Sequence, residues 1–278
     1  MIAPPIHAAS AASPADHAAY AREHLIAQSL QQVLLRTSLR QKVAGLSLEA
    51  FYEAALAEAT VGGDSFDAFV IGGGRVVLAV ADASGKGLAA AERVAEIRFT
   101  LRAYLREHGD PAHALACLND FVCNAQHMDG RECDTFATLT MVVLDGESGE
   151  AECLCAGGEP PLVLRAGGTV EAAPASGPAL GLMPGQGYTT ATISLSAGDS
   201  ILLATDGITE ARKPSEGKPG RHGPFLGIEG LGQIAIRKQD ASMTLAQVGR
   251  SIFDSARHYA GGAFHDDACL LIGRREGS

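Results

Sequence analysis

The pattern of apolar positions changes period several times along this chain. Residues 66–71 and 75–82 are short apolar runs separated by Gly72, Gly73 and Gly74, which predicts a β-hairpin. From about Leu88 to Glu107 the period lengthens, with Val94, Ile97, Leu101 and Leu105 on one helical face. Asp110-Pro111 supplies an N-cap and a proline at the first helical position. Leu115, Leu118, Val122 and Ala125 then mark a second helix. After Asp134 the pattern is extended again. Phe136–Leu144 and Ala151–Ala156 are predicted strands joined by the turn DGESG, followed by short strands at 161–165, 169–173, 189–195 and 200–205. Leu231–Arg237 fits either period. Leu245, Val248, Ile252 and Ala256 predict a last helix, and Ala268–Gly273 a last strand.

Strands, two helices, many strands, a helix and a strand make an α+β order with mainly antiparallel sheet, not the alternation of a doubly wound fold. Three parts are expected: a disordered Ala/Pro/Ser-rich stretch over 1–15, a lead-in helix over 16–45, and one domain over 46–275. The helix would start at Asp16, run to about Val43 and end at Gly45. Its stripe of Ile26, Leu30, Val33 and Leu34 is broken by Thr37 and Arg40. That leaves two readings, a helix packed on its own domain or one that docks and forms a homodimer.

Composition narrows the class. The chain has 278 residues, 46% hydrophobic and 19% charged, enough for one core of roughly 200–250 residues. No run approaches the ~20 apolar residues of a membrane span, and the start lacks the features of a signal peptide. A cytoplasmic location is expected. The net charge of −10 argues against nucleic acid and anionic membrane as partners. The six cysteines form no CxxC pair, so a zinc site is not expected; buried inert thiols are, with Cys153 and Cys155 on one strand face. Cys269 and Arg275 match the C-x5-R spacing of cysteine phosphatases. The residues between them read as a strand and not as a phosphate cradle, so the match is chance.

Candidate chemistry lies in aspartates at strand ends. Asp64 (in VGGD) and Asp82 (in RVVLAVAD) are expected to close neighbouring strands in glycine-rich turns. Asp206 ends SILLATD, and Asp266 and Asp267 precede ACLLIG. Each alone is an ordinary turn residue. If they converge, carboxylates so close cannot all stay ionised without cations. Oxygen-only ligation suits Mg²⁺ or Mn²⁺, and two such ions form a clamp for phosphate-ester hydrolysis. The alternative, a phosphate loop at SGKG, fails on spacing: Val80 stands five before Gly85, and Gly87 follows Lys86.

VGGDSFD, VADASGKG, FATLTMVVLD…AGGEPPLVLR, LLATDGITEAR and DDACLLIGRR, in that order, resemble the SpoIIE/RsbU branch of the metal-dependent serine/threonine phosphatases, relatives of protein phosphatase 2C. The resemblance runs from about Leu25 to Arg274. It implies a four-layer α/β/β/α sandwich with two metal ions, Mn²⁺ or Mg²⁺, at one end between the sheets. It further implies that Asp82 bridges both ions and that the Ala83 carbonyl binds one of them, with Asp64 on that side through water. Asp206 and Asp266 would hold the other ion. Asp67 matches an acidic position with a supporting role at the site, and Thr209 and Glu210 match residues read as structural. The chain departs from the family at Gly158, where a histidine is frequent, at Ser65-Phe66, and at Ala83 in DASGKG. None of these removes a carboxylate, so activity is expected.

The implied function is hydrolysis of phosphoserine or phosphothreonine on a signalling protein, the family's usual substrate being a STAS-type anti-sigma-factor antagonist. Two alternatives stay open: a non-catalytic phosphoprotein-binding regulator, and a hydrolase of a small phosphate ester. The basic Gly/Pro-rich stretch 212–224, with Arg212, Lys213, Lys218 and Arg221, reads as a solvated loop or as a flap that meets an anionic phosphoprotein.

Overall fold

The computed structural model describes residues 42–43, 45–55, 63–85, 88–128, 136–214, 222–240 and 242–277. Two antiparallel sheets lie face to face. The first runs β1 (Lys42–Val43), β2 (Leu46–Glu53), β13 (Ala268–Arg275), β10 (Ser200–Ala204), β7 (Leu162–Leu164), β8 (Val170–Ala172). The second runs β3 (Asp64–Val70), β4 (Val76–Ala83), β5 (Ala137–Leu144), β6 (Glu150–Ala156), β9 (Ala191–Ser194). A short hairpin, β11 (Arg212–Pro214) and β12 (His222–Phe225), stands apart from both.

Alternation along the strands sorts the side chains into layers. Phe66, Val76, Leu78, Val80, Val142, Cys153, Cys155, Ile201, Leu203, Cys269 and Leu271 fill the space between the sheets. Their neighbours Val77, Ala79, Met141 and Leu154 face outward onto α1 (Leu88–His108) and α2 (Pro111–Met128). Those helices present the predicted stripes: Val94, Ile97, Leu101 and Leu105 from one, Leu115, Leu118 and Val122 from the other. On the far side, Leu202, Ala204, Leu270 and Ile272 face α4 (Gly227–Lys238) and α5 (Leu245–Tyr259). The expected α/β/β/α order is therefore present. Cys153 and Cys155 share the inner face, as expected, and burial raises both thiols, to about 12 and about 11.

Several expectations change. Lys42–Val43 is a strand paired with Leu46–Ser47, not the last turn of a helix, and Gly45 makes that turn at φ +79°. The expected disordered stretch and the rest of the lead-in helix lie outside the described residues. Leu46–Glu53 is a strand that the sequence reading did not assign. Its Leu46 and Leu48 enter the inter-sheet core, while Phe51 meets Phe253 of α5 on the other face. Leu231–Arg237 belongs to the helix α4. Its buried Leu231, Gly232 and Ala235 form one face, and Gly232 lies against Val170.

Asp67 also departs from expectation. It faces the helices, not the space between the sheets. There Arg102 donates to both its oxygens at 2.6 Å, and Arg98 donates to Oδ1 at 3.2 Å. The reason is the strand period: Asp64, Phe66 and Ala68 point one way, Ser65, Asp67 and Phe69 the other. Asp67 thus fastens α1 to β3, in a part-buried bidentate pair with Arg102 and beside the buried Arg98.

Candidate metal centre

Four strand ends meet at one edge of the sandwich. The hairpin register sets Asp64 directly opposite Asp82. Asp64 opens β3 instead of closing a strand, as the sequence reading had it. In an antiparallel pair the start of one strand adjoins the end of the other, so the correction brings the two carboxylates together. Both lie on the inner face. In the opposite sheet β10 pairs with β13, so the end of one meets the start of the other. Asp206 follows β10 and opens a single helical turn, α3 (Asp206–Thr209); Asp266 and Asp267 precede β13.

A threonine joins the two halves. Thr205 Oγ1 donates to Asp64 Oδ2 at 2.5 Å and accepts from the Cys269 amide at 2.9 Å. One hydroxyl therefore ties the second sheet to the end of β10 and the start of β13 in the first. Thr205 stands inside the TDG motif, but nothing in the sequence shows a partner 141 residues away. Thr205→Val keeps the shape and removes this bond, leaving a buried carboxylate oxygen unpaired. The expected cost is about 2 kcal/mol, read as a lowered denaturant midpoint.

Oxygens converge in front of Gly63. A Cβ built on that residue would lie 2.3 Å from the Ala83 carbonyl oxygen and 2.5 Å from Asp82 Oδ1. The glycine is thus required by the close approach of the two groups. Gly207 plays the same part in the other sheet, where a Cβ would lie 1.7 Å from the Asp267 carbonyl oxygen. Asp266 is exposed, and its Oδ1 accepts from the Asp267 amide. Asp267 is buried, and its Oδ1 accepts from the Ala55 amide at 2.8 Å. Of the two, Asp266 is the carboxylate turned toward solvent, and Asp267 is engaged by backbone.

The electrostatics record the crowding. Burial, then the Asp82 charge, pushes Asp64 well above the ordinary carboxylate range, with Asp267 and Asp206 adding to the effect. Burial and Asp206 raise Asp82 to about 6, helped by Asp266 and Asp267. Burial, Glu210 and Asp266 raise Asp206. Among the described residues, no basic side chain stands among the influences on Asp64, Asp82 and Asp206. Acids crowded in this way are the environment a divalent cation stabilises, and an all-oxygen donor set selects a hard one.

Beside the carboxylates lies a cleft of about 130 Å³, bordered by Thr140, Gly157, Gly158, Glu159, Asp206 and Glu210. Its rim is acidic. Thr209 Oγ1 donates to Glu159 Oε1 at 2.8 Å, and Thr140 Oγ1 to the Glu159 carbonyl at 2.7 Å. Gly158, where a histidine is frequent in the resembling family, has no room for a side chain: its Cβ would lie 2.5 Å from Thr140 Oγ1. Gly158→His should therefore cost about 2 kcal/mol of stability by overpacking and should not raise turnover. A thermal midpoint and a rate on one preparation check both.

The family model for stage II sporulation protein E (SpoIIE) matches residues 72–276, which include Asp82, Asp206 and Asp266. Protein IcfG of Synechocystis sp. is 27% identical over 182 residues, 56% of this chain and 28% of that protein. The RsbU and RsbW domains of Rv1364c from Mycobacterium tuberculosis superpose with a TM-score of 0.68 at 26% identity, over 84% of this chain and 62% of that one. The chain thus spans less than two thirds of the length of either relative. The SiaA-PP2C domain of Pseudomonas aeruginosa shares the fold, with a TM-score of 0.73 at 18% identity, over 95% of this chain and 98% of that one. With the sandwich, the acidic edge and a match over most of its length, the chain belongs to the SpoIIE family, in the SpoIIE/RsbU branch of the protein phosphatase 2C-like metal-dependent phosphatases.

Proposed function

We propose that this chain hydrolyses phosphoserine or phosphothreonine on a signalling protein, with two Mn²⁺ or Mg²⁺ ions held at the acidic edge. The observation that carries the reading is the convergence of Asp82 Oδ1 and the Ala83 carbonyl oxygen before Gly63, with Asp64, Asp206 and Asp266 raising or receiving the same crowding of charge. Asp82 would bridge the ions. The Ala83 carbonyl and Asp64 would serve one side, and Asp206 and Asp266 the other. Manganese is present as two ions in a structure of the phosphatase PstP, which has this fold, and magnesium in one of RsbX. Bound cations would supply an activated water and offset the charge of a phosphoryl group.

The chain's own residues set the terms of that chemistry. Thr205 fixes one Asp64 oxygen and so aims the other. Gly63 and Gly207 let backbone approach closely within each sheet, Gly63 against Asp82 and Ala83 and Gly207 against Asp267. Glu159, Asp206 and Glu210 make the cleft repel a phosphate dianion until cations reverse the local sign. The cleft is also smaller than the roughly 300 Å³ at which small-molecule pockets begin. It admits a phosphoryl group and leaves the rest of the substrate outside, which supports a phosphorylated protein over an enveloped small ester.

A STAS-type antagonist in a partner-switching pathway fits this reading as the substrate class. The test is phosphate release from phosphorylated STAS-domain proteins of the same genome, with Mn²⁺, against p-nitrophenyl phosphate. Preference for the phosphoprotein by at least about a hundredfold in kcat/KM is expected; equal efficiency would support the small-ester alternative. No described helix is long and apolar enough to cross a membrane.

A further inference from the structure

The turn between α1 and α2 carries a second set of ligating side chains. His108 ends α1; His113 and Cys117 lie one helical turn apart on α2. One ligand atom from each falls within 4.8 Å of the other two. α1 is 21 residues long, so this turn is about 30 Å along the helix from the segment that follows Asp82. The group is thus independent of the phosphatase centre, and nothing in the proposed reaction uses it.

The geometry is that of a nearly closed metal site. Tetrahedral Zn²⁺, with Zn–N near 2.0–2.1 Å and Zn–S near 2.3 Å, places its ligand atoms roughly 3.3–3.6 Å apart. Cys117 Sγ and His113 Nε2 already stand 3.6 Å apart. His108 and His113 meet edge to face, with ring centroids 4.6 Å apart. Closing the remaining gap needs side-chain rotation only. The backbone that presents the three is fixed. Gly109 turns at φ +69°, and Asp110 Oδ1 accepts from the amides of Ala112 and His113. Arg75 donates to the Gly109 carbonyl oxygen at 2.9 Å, and the Tyr104 ring stacks on His108.

We propose that this turn is a Zn²⁺ site, with His108, His113 and Cys117 as its protein ligands and solvent in the fourth position. Two imidazoles and a thiolate form a borderline-soft donor set, in contrast to the oxygens at the acidic edge. One chain would then sort two classes of metal: hard Mg²⁺ or Mn²⁺ for hydrolysis, and Zn²⁺ as a pin between α1 and α2. Binding exchanges the Cys117 thiol proton for the metal bond and releases that proton to solvent.

Co²⁺ is the probe, added to the full chain with its carboxylate centre preloaded with Mn²⁺. One equivalent should produce thiolate-to-cobalt charge-transfer absorption and intense d–d bands of tetrahedral type, both lost when Zn²⁺ is added. Cys117→Ser should abolish the charge-transfer band. His113→Gln and His108→Gln should each weaken binding at least tenfold, and Cys133→Ser should leave the spectrum unchanged. Zn²⁺ should raise the thermal midpoint of the parent but not of Cys117→Ser, whose Mn²⁺-dependent turnover stays at the parent level. No charge-transfer band, or a band that survives Cys117→Ser, overturns the proposal.

Discussion

Asp82→Asn is expected to lower Mn²⁺-dependent turnover by about a thousandfold or more, equivalent to about 4 kcal/mol of lost transition-state stabilisation. The substitution keeps the shape of the side chain and removes the charge proposed to bridge both cations. It also relieves the site, because Asp82 is the largest charge influence on Asp64. The variant should therefore fold, and without metal at neutral pH it should be at least as stable as the parent. A dead enzyme that melts normally separates loss of chemistry from loss of fold. Gly63→Ala offers an independent route to the same end. It leaves every carboxylate in the chain, yet its Cβ would press within 2.5 Å of Asp82 Oδ1 and 2.3 Å of the Ala83 oxygen. Weakened Mn²⁺ affinity in that variant would tie the loss to these two oxygens and not to charge alone. Turnover of Asp82→Asn within tenfold of the parent would sink the two-metal reading.

The carboxylates at strand ends were legible because each sits in a glycine-rich or turn-forming stretch that borders a run of apolar residues, Asp82 and Asp206 after it and Asp64, Asp266 and Asp267 before it. The helices of the second sheet's outer face were legible for the same kind of reason: Val94, Ile97, Leu101 and Leu105 repeat at helical spacing, and all four enter one core. The period-2 pattern of DSFDAFV contained the answer for Asp67. Counting from Asp64 puts Asp67 on the opposite face, where Arg98 and Arg102 wait. LSLEAFYE keeps period 2 throughout, with Leu46, Leu48, Ala50 and Tyr52 toward the inter-sheet core, but Phe51 is buried on the opposite face, so apolar residues on both faces blur the alternation in the sequence. The contacts that weld the site are long-range. Thr205 to Asp64 and Asp267 to the Ala55 amide join segments 141 and 212 positions apart, and no local pattern encodes such a pairing.

Removing the metals should turn the usual acid response of a protein around. In the metal-free chain, burial and neighbouring carboxylates raise Asp64, Asp82 and Asp206, with Asp82 at about 6. Once unfolded, each returns to about 4. Between those values the native state holds protons that the unfolded state has released. Stability is therefore fully present below about pH 4 and falls as pH rises through about 6. Asp82 alone accounts for about 3 kcal/mol between pH 4 and neutrality, with the protons belonging to the cluster as a whole. Asp199 has the opposite sign. Against the burial that raises it, the amides of Ala166 and Ser196 and the Arg165 guanidinium hold it low, so its contribution is lost only in stronger acid. After chelation the denaturant midpoint should climb as pH drops from 7.5 to 5. Mn²⁺ should restore stability strongly at pH 7.5 and weakly at pH 5, where protons already occupy the carboxylates it would bind. In Asp82→Asn both the pH slope and the Mn²⁺ response should shrink together, since one charge underlies both. A metal-free midpoint that stays level or rises from pH 5 to 7.5 would mean the acids do not repel one another as the fold places them, and the electrostatic case for cations at this edge would fall with it.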